Sequence, residues 1–208
     1  MPASIDRIKP IDRNHYPKPQ TESVVQTRNS TTHYGWVAVL FHWLMAPAII
    51  GMFALGWWMV GLSYYDPWYR QGPDIHKSVG ILLLMLLAAR LVWRWANVEP
   101  APEPAPRWQQ RAAGAAHGLI YGLLLVIFVS GYLISTADGR AIEVFNWFSV
   151  PATLHGLENQ EDIAGSIHKW LAWALMGLVV LHGLAAFKHH FVNKDRTLIK
   201  MLGRAPRG

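Results

Sequence analysis

Residues 167–190 read IHKWLAWALMGLVVLHGLAAFKHH. With its flanks this apolar stretch runs from about 164 to 191, longer than the approximately 20 residues that cross about 30 Å of hydrocarbon. A backbone inside lipid must satisfy its own hydrogen bonds, so the stretch is predicted to be a membrane-spanning helix. Two histidines, His168 and His182, lie within it 14 residues apart. That spacing is nearly four helical turns, which puts both on one face with their levels separated by about 21 Å.

Three comparable stretches precede it, at about 35–61, 75–96 and 113–135. Connections of about 13, 17 and 28 residues join the four spans. The expected fold is an all-α membrane protein, a four-helix up-down transmembrane bundle with its cofactors in the bundle core. Composition agrees: of 208 residues 52 % are hydrophobic and 15 % charged, against about 25 % charged in soluble domains. The eleven tryptophans suit a chain with two membrane interfaces. Cysteine is absent, which excludes disulfides, iron–sulfur clusters and covalent haem attachment. Residues 1–34 are polar, contain Pro2, Pro10, Pro17 and Pro19, and do not have the pattern of a signal peptide. The expected division is an N-terminal cytoplasmic tail (1–34), a four-helix membrane domain (35–202) and a C-terminal tail (203–208).

The net charge of +6 does not indicate nucleic acid. Fifteen of the nineteen Lys and Arg residues fall in the tail, around the second connection, or near the C-terminus. An even number of spans places these three regions on one side. Only Arg70, Lys77, Arg140 and Lys169 lie on the other. The positive-inside rule then makes both termini cytoplasmic. Asp138, Glu143, Glu158, Glu161 and Asp162 in the third connection face outward. The segment VEPAPEPAP at 98–106 is too rich in proline for helix or central strand and reads as a stiff spacer.

Ionisable groups in a membrane are costly and usually have a partner. A lone intramembrane histidine is more often a hydrogen-bonded packing residue than a ligand. Four histidines at matched depths are a different case. His42 lies about seven residues into a span that starts inside, so it matches His182. His76 opens a span from outside, so it matches His168. Two imidazole pairs on facing helices are what two six-coordinate haem irons require. Gly80, Gly165 and Gly183 beside these histidines would let a porphyrin approach the backbone; ordinary small-residue helix packing is the competing reading.

Arg90 lies 14 residues after His76, at the inner pair's depth, where it either binds haem propionates or snorkels. Lys77 and Lys169 each follow an outer histidine and either neutralise outer propionates or mark the interface. Lys188, His189 and His190 end the fourth span as a quinone contact or as a cationic helix terminus. His189 lies seven residues past His182, on the same face. His117 faces the same choice. His15, His33 and His155 fall in exposed segments without assigned chemistry. The aromatic stretch IEVFNWFSVP at 142–151 has three readings: lying on the membrane, capping the outer site, or docking a partner.

FHWL at 41–44, IHKSVG at 75–80, IHKWLAW at 167–173, LHGLAAFKHHF at 181–191 and DRTL at 195–198 resemble the bacterial cytochrome b561 family of di-haem, quinone-linked membrane proteins. The resemblance spans about 35–202 and places the ligands on His42, His76, His168 and His182. SYYD at 63–66, GYLISTADG at 131–139 and LENQED at 157–162 resemble the branch associated with a periplasmic lipocalin-like, polyisoprenoid-binding protein. It implies two haems b, quinone (ubiquinone or similar), the bacterial inner membrane, and electron exchange between a periplasmic donor or acceptor and quinone. A superoxide oxidase and a haem-bearing anchor subunit of a larger redox complex are the alternatives. The resemblance favours His189 for quinone.

Overall fold

The computed structural model describes residues 26–203. Four long helices make up most of it: α1 (Trp36–Met59), α2 (Trp68–Trp95), α3 (Arg107–Thr136) and α4 (Gln160–Phe191). All four are long and apolar enough to cross a membrane. A short helix α5 (Thr197–Met201) follows. The bundle alternates in direction, as the short connections require. The second and third helices start earlier than their apolar stretches, at Trp68 and Arg107, because a helical ladder continues past the hydrocarbon at no cost in unpaired backbone groups.

Leu119, Val126, Val129, Val180, Leu181 and Leu184 point outward. In water that surface would be an aggregating patch; in a bilayer it is the solvent-facing side, and it puts the helices in contact with lipid. The buried cluster is small: Met45, Leu87, Leu124, Ile127 and Leu175 at the centre of the bundle. Helix α1 packs closely on α2 and α3 on α4, while α1 and α4 approach each other much less.

At the end where α1 begins and α4 finishes, three segments are tied together. Residues of the sequence-defined tail that are described bond to the Pro-rich segment: Asn29 Nδ2 donates to the Val98 carbonyl (2.9 Å) and the Ala101 N–H to the Thr31 carbonyl (2.8 Å). Residues 1–25 and 204–208 lie outside the described residues. Lys200 of α5 pairs with Glu103 (2.6 Å) and donates to the Ala101 carbonyl (3.0 Å). Trp43 Nε1 donates to the Met201 carbonyl (2.7 Å). The segment 98–106 is neither helix nor strand, and these bonds make it a strap across the bundle end.

The opposite end holds an element that sequence reading did not define. Residues 142–150 form an antiparallel hairpin, β1 (Ile142–Val144) against β2 (Phe148–Val150). Ile142 and Val144 are buried and Glu143 is exposed, the alternation of a half-buried strand. The turn takes Phe145 and Asn146 into the left-handed region, at φ 48° and 57°. Two positive φ values suit a tight hairpin turn, natural for Asn and costly for Phe. Ser78 of α2 clasps the hairpin, its hydroxyl donating to the Glu143 carbonyl (3.2 Å) and accepting the Phe145 N–H (3.2 Å). Tyr132 and Gln160 hold the rest of the connection, to Pro151 and Thr153 and to Leu154 respectively. The aromatic stretch is thus a cap docked on α2, with Trp147 exposed at its tip.

Candidate functional site

The fourth helix carries His168 and His182 at two levels of the bundle. Each faces an imidazole from another helix. His42 of α1 lies opposite His182, with ring centroids 6.4 Å apart and planes inclined at 54°. His76 of α2 lies opposite His168, at 6.1 Å and 68°. An imidazole nitrogen binds a first-row metal at about 2 Å and sits about 1 Å in front of its ring centroid, so two imidazoles on opposite sides of one metal have centroids about 6 Å apart. Both pairs have the separation of a bis-imidazole site.

Two further observations concern the His76–His168 pair. His76 Nδ1 is buried without a hydrogen-bond partner. Leaving a buried polar nitrogen unsatisfied costs about 1–3 kcal/mol, a cost that a metal would remove only by binding Nδ1 itself. His168 Nδ1 has a partner, the Ile127 carbonyl at 2.9 Å. A neutral imidazole has one N–H, so that bond leaves Nε2 as a free lone pair for a metal.

Two glycines on neighbouring helices admit these rings. A Cβ on Gly165 or Gly183 would meet nothing within 4 Å, and one on Gly80 would meet only the end of Met52. A Cβ on Gly56 would lie 3.1 Å from His76 Cε1, and one on Gly131 3.1 Å from His168 Cε1 and 3.3 Å from Nδ1. Gly56 and Gly131 sit on the helices packed against the histidines rather than beside the histidines in sequence, so linear proximity could not point to them.

A third imidazole enters the other level. His117 of α3 stands 5.3 Å from His182, edge to face. That is about 1 Å short of the spacing across a shared metal, so His42 is the better-placed partner and His117 stands beside the pair. Arg90 reaches the same level. Its Nη1 is 3.8 Å from Met45 Sδ, one turn from His42, and its guanidinium lies 5.6 Å from the Tyr121 ring centre. Arg94 pairs with Glu99 of the strap through both carboxylate oxygens (2.8 and 2.7 Å). Burial, and then the Glu99 carboxylate, raise the Tyr34 phenol at this end above its ordinary pKa.

The two lysines have other partners. Lys77 pairs with Asp74 (2.9 Å) on an exposed surface, and Lys169 lies 5.8 Å from the Trp170 ring centre. His189 Nδ1 lies 2.5 Å from Asp195 Oδ2 and 3.2 Å from Asn193 Nδ2. Burial pushes the Asp195 carboxyl up, but hydrogen bonds from His189 and from the Thr197 N–H outweigh it and hold the group below the usual carboxylate range. His189 is thus held at Nδ1 with Nε2 left over. His190 Nδ1 is buried without a partner. His33 bonds to Ser30 and Thr32, and His155 packs on Gly139. His15 lies outside the described residues.

Comparison with known proteins matches this arrangement to a family. The family model for prokaryotic cytochrome b561 matches residues 33–204. Cytochrome b561 homolog 2 of Escherichia coli (strain K12) is 53 % identical over 178 residues, covering 85 % of this chain and 95 % of that protein. Cytochrome b561 homolog 1 of the same organism is 28 % identical over 172 residues, 81 % of this chain and 92 % of its own. A protein of Yersinia pestis named probable superoxide oxidase CybB is 28 % identical over 180 residues, 81 % and 95 % of the two chains. Such membership implies haem b and electron transport in a bacterial membrane. With four membrane-length helices, paired intramembrane imidazoles and a family match along nearly the whole described length, this chain belongs to the prokaryotic cytochrome b561 family.

Proposed function

We propose that the chain is a transmembrane electron-transfer cytochrome b that binds two haems and exchanges electrons between a periplasmic donor or acceptor and membrane quinone. The observation that carries this reading is the pair of facing imidazole couples, both anchored on α4 at two levels of one bundle. Haem, when bound, supplies a reversible one-electron carrier at each level. The chain's residues hold it: His42 and His182 at one level, His76 and His168 at the other. Pyridine haemochrome on the purified protein should give two haems b per chain, with low-spin spectra. A reproducible value near one or zero overturns the reading.

The basic residues favour both termini in the cytoplasm, which places His42 and His182 at the inner level. A C-terminal reporter that fluoresces only in the cytoplasm should be bright and a phosphatase reporter silent; the reverse pattern exchanges the two levels.

Quinone chemistry needs protons as well as electrons. The inner end holds His189, oriented by Asp195, and Arg90 beside the His42–His182 level. An imidazole held at Nδ1 can give or take a proton at Nε2. We assign quinone to this end, with Arg90 also suited to a propionate. His189→Ala should slow quinone-dependent reoxidation of the reduced protein at least several-fold, with haem content and spectra intact. Unchanged reoxidation there, with a loss in Lys77→Ala, moves the quinone to the outer end.

The name of the Yersinia pestis relative favours superoxide as the outer electron donor. The carboxylates of the third connection oppose it by repelling an anion, so superoxide oxidation stands second; quinone reduction on adding superoxide to the isolated protein would reverse the order. The anchor-subunit reading predicts no activity without a partner. A periplasmic lipocalin-like partner rests on the branch resemblance alone, and co-purification tests it.

A further inference from the structure

The geometry points to helix α3 as the element that tunes the His168 site, with the Ile127 carbonyl taking the Nδ1 proton of His168 and the Ser130 hydroxyl moderating that bond. The inference rests on the bis-imidazole reading above. Helix α3 contributes no member to either facing pair, yet it packs more closely on α4 than any other element does. Opposite His168 it presents Ile127, Ser130 and Gly131. Among the described residues, His168 alone of the four facing histidines has a hydrogen bond to a ring nitrogen.

Donors crowd this one carbonyl. In an α-helix it already accepts the N–H of the residue four positions on, here Gly131. Ser130 Oγ donates to it at 3.0 Å, and His168 Nδ1 lies 2.9 Å from it. A carbonyl oxygen has two lone pairs, so three donors share less acceptor capacity than each would have alone. Ser130 Oγ also lies 3.3 Å from His168 Nδ1. Ser130 is 4 % exposed, so water does not replace its hydroxyl when that is removed. Gly131 permits the close approach, since a Cβ there would touch the imidazole.

The physical consequence has a sign. A stronger acceptor at Nδ1 moves electron density toward the metal-binding nitrogen and raises ligand basicity. A more basic imidazole stabilises the ferric form more than the ferrous. Removing the Ser130 hydroxyl takes one competing donor from the Ile127 carbonyl and shortens the His168 bond. Ser130→Ala should therefore move the midpoint potential of one haem to more negative values and leave the other unchanged. The haem that moves should be the one lost in His168→Ala.

The test is redox titration of Ser130→Ala and Ser130→Thr, each purified with its haem. A negative shift of that one haem in Ser130→Ala, absent in Ser130→Thr, which keeps the hydroxyl, supports the proposal. Loss of that haem in Ser130→Ala overturns it, because a more basic His168 should hold the haem at least as firmly. Unchanged midpoints in Ser130→Ala, a shift of the other haem, or equal changes in both variants overturn it in favour of a packing role. Haemochrome on the wild-type protein tests the bis-imidazole reading separately: two haems with unmoved midpoints sink the tuning role alone.

Discussion

A chain in which His168 is replaced by Ala should carry one haem b instead of two and keep the one between His42 and His182. His168 faces His76 at 6.1 Å, and among the described residues no other imidazole faces His76. The remaining level is about 21 Å away along α4 by helical rise, and its two rings, 6.4 Å apart, are untouched. Haemochrome should fall by half while the spectrum stays low-spin. His42→Ala should give the complementary result, and the difference spectra of the two variants should add to that of the wild type. Loss of the same haem in both variants would mean that the pairs are crossed and the depth assignment is wrong.

The second large effect comes from glycine. Gly131→Val should remove the His168-held haem, and Gly56→Val should do the same through His76. A Cβ at either position already lies 3.1 Å from an imidazole carbon, closer than ordinary contact. The His168 ring has little freedom to retreat, because its Nδ1 is bonded to Ile127. An alanine asks for a few tenths of an ångström; a branched side chain asks for far more and displaces the ring. Gly118 and Gly122 on the same helix provide the contrast, since a Cβ there meets nothing within 4 Å. Gly122→Ala should leave both haems in place and stabilise α3 by up to about 1 kcal/mol through helix propensity. Haem content and thermal unfolding of the three variants check the pattern. Gly131→Val with two haems and an unaltered spectrum would show that the close approach has no part in binding.

The membrane fold was legible because a bilayer imposes length and polarity on each span independently. Four apolar stretches, few charges and a basic bias to one side suffice for four helices in alternating directions. The depths of His42, His76, His168 and His182 followed from counting along those helices, and each does face the partner that counting assigned. The hairpin at 142–150 was not legible. Its strands are three residues each and its turn puts Phe145 in a conformation that sequence preference argues against.

What the sequence alone determined is whatever depends on distance along one helix: span lengths, the 14-residue step between His168 and His182, and the levels of Arg90 and His189. What the tertiary structure decided is whatever depends on two helices meeting. It placed Gly131 and Ile127 against His168 and Gly56 against His76, stood His117 beside His182, and gave Lys77 to Asp74 rather than to an inward-facing group. The reason is physical. Rise along a helix is constant, so depth can be read by counting, whereas the rotation and offset of one helix against another are set by side-chain packing across the whole interface.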